Sequence, residues 1–191
     1  MSQALFSRGV LHCLENAEIW IEEADILAKR GSFGHATALL IHGIEALSQA
    51  RICFAVARGS VKSDDPSVKE YFTRHYIKLG FFTANVLIHD TIKDFTINHL
   101  TNEDYWNLNF LLWYNFFETK KDEIDEKREK YPKELMTKRN LGIYVDFDFN
   151  KRQFHLPKDI EEKDYIKLKE ETEVMWTTIF TLINNPLVKY R

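Results

Sequence analysis

Residues 33–58, FGHATALLIHGIEALSQARICFAVAR, constrain the fold more than any other stretch of the chain. Small or apolar side chains recur at Ala36, Leu40, Gly43, Ile44, Leu47, Ala50 and Phe54. Steps of three and four residues put them on one broad helical face. Leu39, Ile41, Ala46, Ile52 and Val56 make the remaining faces apolar as well. A helix that is greasy nearly all round must be covered on several sides, so this stretch predicts the central helix of a bundle. Gly43 in mid-helix costs roughly 1 kcal/mol against alanine, and close approach of a second helix is the usual compensation.

Polar groups interrupt this surface at His42, Glu45 and Gln49. Their spacing puts them on one side of the helix. A carboxylate in such surroundings is costly unless it is paired or hydrogen-bonded. Glu45 is therefore either a structural pin to a neighbouring helix or a site residue, and spacing alone leaves both open.

The 191 residues suffice for one sizeable domain spanning 1–191. With 45% hydrophobic residues, 7 Gly and 4 Pro, the composition argues against disorder and against a turn-rich β fold. A net charge of −3 excludes a global basic footprint for nucleic acid, so any RNA contact requires a local patch or a dimer cleft. Cys13 and Cys53 stand far apart without CxxC spacing, which suggests neither a disulfide framework nor zinc; both are expected to pack as small apolar groups in a reducing cytosol. Arg8, His12 and Glu15 interrupt the first apolar positions, so no signal peptide is expected. No run of ~20 uninterrupted apolar residues marks a membrane span, and the expected location is cytoplasmic.

In chain order, residues 2–30 predict an amphipathic helix carrying Val10, Leu14, Ala17, Ile21, Ala24 and Ala28 on one stripe. Gly31 supplies its cap, and the short Gly31–Gly34 link predicts an antiparallel hairpin with the central helix. After a loop at 59–66, a single third helix is expected from Pro66 to about Asp94, with Arg74, His75 and Lys78 as a basic patch. Thr101–Asp104 resembles a capping box for a fourth helix, aromatic from Tyr105 to Phe117 and mixed in charge to about Lys130. The aromatic part suits a core or a dimer interface better than a base-stacking platform. Pro132 is expected to end or kink that helix, and residues 135–158 to leave the helical pattern. The alternation from Gly142 to Phe149 suggests an extended segment, continued as a small hairpin to His155. A last helix is expected over about 159–184.

The chain has no glycine-rich phosphate loop, HExxH or GxSxG. His42, His75 and His89 with Glu45 fall short of the paired Glu-x-x-His units of di-metal bundles, so no metal is expected.

Three local patterns occur together: HATALLIHGIEALSQA with its central Glu45, His75-x-x-Lys78 in the following helix, and KRNLGIYVD over 138–146. In this order, spanning nearly the whole chain, they resemble the AbiV family of abortive-infection proteins, in the HEPN superfamily. The resemblance implies an all-α, HEPN-like up-and-down helical bundle, often a homodimer, acting in antiphage defence. It also implies a metal-independent ribonuclease with no cofactor, RNA as substrate and a phage-encoded activator protein. Many HEPN ribonucleases carry Arg, a polar residue, four to six residues and then His. Here Arg139-Asn140 begins that pattern, but no histidine follows before His155. Where the family usually has Glu-Glu-Leu-Gly-Lys, this chain reads Glu45-Ala-Leu-Ser-Gln49.

RNA cleavage without metal needs a base for the 2′-hydroxyl proton, cations on the crowded phosphate and an acid for the leaving 5′ oxygen. Histidine titrates near neutrality, so His75 is the candidate acid or base. Lys78 and Arg139 are the candidate phosphate cations, and Glu45 either orients them or acts as base. Arg74, Lys138, Tyr144 and Asp146 form the expected substrate-binding surround, with Tyr144 and Asp146 fixing a loop that carries Arg139. The alternative is a non-catalytic helical interaction module that binds a phage or host protein. In that case the same residues are interhelical salt bridges.

Overall fold

A computed structural model describes residues 3–94, 121–148 and 150–184. Helix α2, Phe33–Ala57, is the axis of the molecule, and most of its 25 residues are buried. Around it lie α1 (Gln3–Lys29), α3 (Pro66–Thr73), α4 (His75–Asp94), α5 (Lys121–Ile143) and α6 (Glu162–Asn184). The architecture is an all-α helical bundle with one small hairpin. Length and composition would let α2 cross a membrane, but 72% of its most apolar window is buried inside the bundle.

The α1–α2 hairpin forms as the sequence predicts. Gly31 adopts φ +75°, a conformation that costs a side-chain-bearing residue. There the amides of Ser32 and Gly31 bond back to the carbonyls of Leu27 and Ala28, closing the end of α1. The helices run antiparallel: Gly43 faces Ala17–Ile21, and Gly9 faces Cys53. A Cβ on Gly43 would meet the Ile21 Cγ1 at 3.0 Å and the Ala17 carbonyl oxygen at 3.4 Å, so this glycine sits where α1 passes close. Ala17 and Ala24 from α1, Leu40, Ile44 and Leu47 from α2, Leu79 and Phe82 from α4, Leu135 from α5 and Met175 and Ile179 from α6 make one continuous core.

The structure departs from sequence expectation in four places. The expected single helix 66–94 is two helices. Arg74 is extended (φ −114°, ψ 109°) and its amide bonds the Glu70 carbonyl at 2.8 Å, so α3 ends and α4 starts afresh at His75. No proline or glycine forces this break; it re-aims the chain so that His75, Lys78, Leu79 and Phe82 all face α2.

Pro132 neither ends nor interrupts α5, which continues to Ile143. The proline forfeits one helical hydrogen bond. However, Pro132, Leu135, Arg139 and Gly142 share one face, and burial of that face against α2 outweighs the loss. Arg139 is consequently a helical residue, not a loop residue. The extended segment is correspondingly short: β1 (Asp146–Asp148) pairs antiparallel with β2 (Gln153–His155) in the register Phe147↔Phe154. The last helix also starts later than expected. A 3-10 turn, Pro157–Asp159, precedes it, with the Asp159 carboxylate accepting the Leu156 amide at 2.8 Å.

The expected capping box at Thr101–Asp104 and the aromatic stretch 105–117 lie outside the described residues.

Candidate active site

Three helices converge on the carboxylate of Glu45. From α4, His75 Nδ1 lies 2.7 Å and Lys78 Nζ 3.1 Å from Oε2. From α5, Arg139 Nη1 lies 2.9 Å from Oε1. The positions follow from local structure. His75 and Lys78 occupy the first turn of α4, so the positive end of that helix also lies beside the carboxylate. Ser48, one turn beyond Glu45, donates its hydroxyl to the Lys78 carbonyl at 2.8 Å and locks α4 in register on α2.

Two glycines set the position of Arg139. A Cβ on Gly142 would come within 2.4 Å of the Gly34 carbonyl oxygen, and one on Gly34 within 2.0 Å of the Pro157 carbonyl oxygen. The C-terminal turn of α5 therefore touches the N-terminal turn of α2 backbone to backbone. Arg139, one turn earlier on the same face of α5, reaches Glu45 as a result.

Burial within the cluster is graded. The side chains of Glu45 and Lys78 are 4% and 6% exposed, Arg139 is 13% exposed, and His75 is 45% exposed. Two basic side chains share one carboxylate, so basic groups outnumber acidic ones in the cluster even without His75. A carboxylate only accepts hydrogen bonds, so a neutral His75 donates Nδ1–H to Oε2 and carries its lone pair on Nε2. A buried carboxylate on one ring nitrogen and a free lone pair on the other is how a histidine is prepared to accept a proton from substrate. Of the two cations, Arg139 is the more open and can hold an anionic group, whereas the expected phosphate contact of Lys78 is closed off by its burial.

His42, one turn before Glu45 on α2, borders the cluster and stacks at 5.4 Å, tilted, on Trp20 of α1. Burial pushes its pKa below the ordinary value. Glu45 opposes that shift, and Arg139, His75 and Lys78 add to it. The spacing of His42 and Glu45 was visible in the sequence, but the field of the cluster on His42 depends on helices from elsewhere in the chain.

Arg74, Lys138 and Tyr144, expected in the substrate-binding surround, are not among the side chains paired with Glu45. Arg74 is exposed and pairs with Glu70 on α3 at 3.3 Å. Lys138 turns to α6, where it meets Asp164 at 2.6 Å and holds that carboxylate below its usual range. Tyr144 lies past the end of α5, 63% exposed. Asp146 begins β1 opposite His155, and Arg139 stands on α5, so it is not carried by a loop. Among the described residues, no group of three or more His, Cys, Asp or Glu is arranged to hold a metal ion.

A family model described as AbiV matches residues 6–174, and so covers all four residues of the cluster. No curated protein and no solved structure matches the chain.

Proposed function

Because the chain belongs to the AbiV family of abortive-infection proteins, in the HEPN superfamily, we propose that the Glu45 cluster is an RNA-cleaving site. The protein would act in the cytoplasm as a homodimeric, metal-independent endoribonuclease released by a phage-encoded activator. One observation carries this reading: a half-exposed imidazole is held through Nδ1 by a buried carboxylate that two cations also share.

The chemistry follows from that geometry. Nε2 of His75 accepts the proton of a ribose 2′-hydroxyl, and the 2′ oxygen attacks the adjacent phosphorus. Arg139 stabilises the crowded phosphate. The 5′ oxygen leaves with a proton from solvent, giving a 2′,3′-cyclic phosphate and a 5′-hydroxyl. Glu45 is a positioning residue: it fixes the His75 tautomer and neutralises the imidazolium that forms. Lys78 is closed to solvent, so it touches Glu45 and not the phosphate.

The test is cleavage of RNA, in the presence of a chelator and of extract from phage-infected cells, by wild type, His75→Ala and Arg139→Ala. The expected loss is about 100-fold or more for each variant, as is common for a positioned acid–base group or anion-stabilising donor. Equal cleavage by all three proteins would reject the assignment.

A second reading draws support from the near closure of Glu45 and Lys78. Such a pair clamps α2 to α4 whether or not His75 does chemistry. The chain would then be a helical interaction module that binds a phage or host protein. Growth arrest on phage infection that survives His75→Ala would favour it.

A further inference from the structure

Cys13 and Cys53, distant in sequence, meet where α1 crosses α2. Gly9, one turn before Cys13 on the same face of α1, lies so close to α2 that an added Cβ would touch the Cys53 Sγ at 3.0 Å. The Cys53 sulfur is thus aimed at the stretch of α1 between Gly9 and Cys13. Both thiols line a cavity of about 930 Å³ between α1 and the start of α3, with Phe6 and Phe72 as apolar walls, Arg8 and Lys69 as basic ones and Asp64 and Asp65 as acidic ones.

The two sulfurs differ in the way a reactive pair requires. Cys53 is 2% exposed, whereas Cys13 is partly open to the cavity. Interaction with Cys53 holds the Cys13 thiol below its ordinary pKa, against burial, which pushes it up. The same interaction, with burial, raises that of Cys53. Thiolate character and access decide which cysteine of such a pair is oxidised first.

We infer that Cys13 and Cys53 form a peroxide-sensitive thiol pair that closes to a disulfide between α1 and α2. The Cys13 thiolate attacks hydrogen peroxide and breaks the O–O bond, giving a sulfenic acid and hydroxide, which is protonated to water. The Cys53 thiol then attacks that sulfur and loses its proton, and a second water departs. Two thiols lose two electrons, one peroxide gains them, and two waters result. The cavity admits the oxidant, and the close helix crossing at Gly9 sets the Cys53 sulfur against the turn of α1 that leads to Cys13. The pair lies apart from the Glu45 cluster and does not depend on its function.

The test exposes the full chain to hydrogen peroxide without added thiols. The expected result is loss of both titratable thiols, a fall of about 2 Da in intact mass as two hydrogens leave, a Cys13–Cys53 cross-linked peptide, and reversal by a dithiol. In Cys53→Ser, Cys13 should instead be trapped by dimedone as the sulfenic acid. In Cys13→Ser, Cys53 should stay reduced. Both thiols remaining titratable in the wild type after treatment, or a disulfide found only between chains, would overturn the proposal. So would Cys53 reacting as fast without Cys13.

Discussion

Removing the charge of Glu45 tests the physics of the cluster apart from its function. Glu45→Gln keeps the shape and leaves Lys78 and Arg139 facing each other with no anion between them. Their separation through the carboxylate is on the order of 7 Å, so their mutual repulsion at an effective dielectric near 20 is about 2 kcal/mol. The attractions lost, at 3.1 Å to Lys78 and 2.9 Å to Arg139, are grossly about 5–6 kcal/mol each on the same scale, and desolvation offsets much of that. Breaking buried pairs of this kind costs about 3–5 kcal/mol. For a chain of this size that lowers Tm by roughly 6–20 °C.

The informative measurement is a double-mutant cycle with Lys78→Met, followed by chemical denaturation. Lys78→Met removes a buried charge that Glu45→Gln has orphaned, so the double variant should be more stable than the two single losses sum to. A coupling of about 1.5–3 kcal/mol is expected. A Glu45→Gln variant within about 0.5 kcal/mol of wild type, or strict additivity, would show that water already screens the cluster and would refute the argument.

Gly142→Ala should cost about 1–3 kcal/mol in denaturation, because its Cβ would come within 2.4 Å of the Gly34 carbonyl oxygen and 2.9 Å of the Ala38 Cβ. Gly80→Ala, which meets nothing within 4 Å among the described residues, should instead stabilise by up to about 1 kcal/mol. Stability should also fall on mild acidification. His42 titrates lower in the folded chain than its ordinary value of 6.5, so below that value the unfolded state binds more protons than the native one. The His42 contribution is complete above the ordinary value and is lost as pH falls through the depressed one. Denaturation midpoints between about pH 7 and 5 should show this slope in wild type and a smaller one in His42→Gln, and equal slopes would reject it.

Much of the molecule is set by local pattern. Apolar residues on every face of 33–57 can be satisfied only by surrounding helices, so the central helix and the bundle follow from sequence alone. Gly31 and the short link after it dictate the α1–α2 hairpin, and Gly43 signals the close crossing. The polarity of Glu45 on an otherwise apolar helix also marks it as an anomaly, because a buried charge needs a partner, whereas local pattern puts Arg139 in a loop and not on a helix face.

Tertiary structure decided which partner each of them takes. No local signal separates Arg139, which reaches Glu45, from Lys138, its neighbour, which reaches Asp164. A helix turns 100° per residue, and only the packing of α5 tells which direction faces α2. The break at Arg74 and the passage of α5 through Pro132 run against or beyond local propensity, because burial of a whole helix face outweighs a single backbone hydrogen bond. The meeting of Cys13 with Cys53 belongs to the same class: contacts across the chain come from the packed helices, and a sequence pattern records only the need for them.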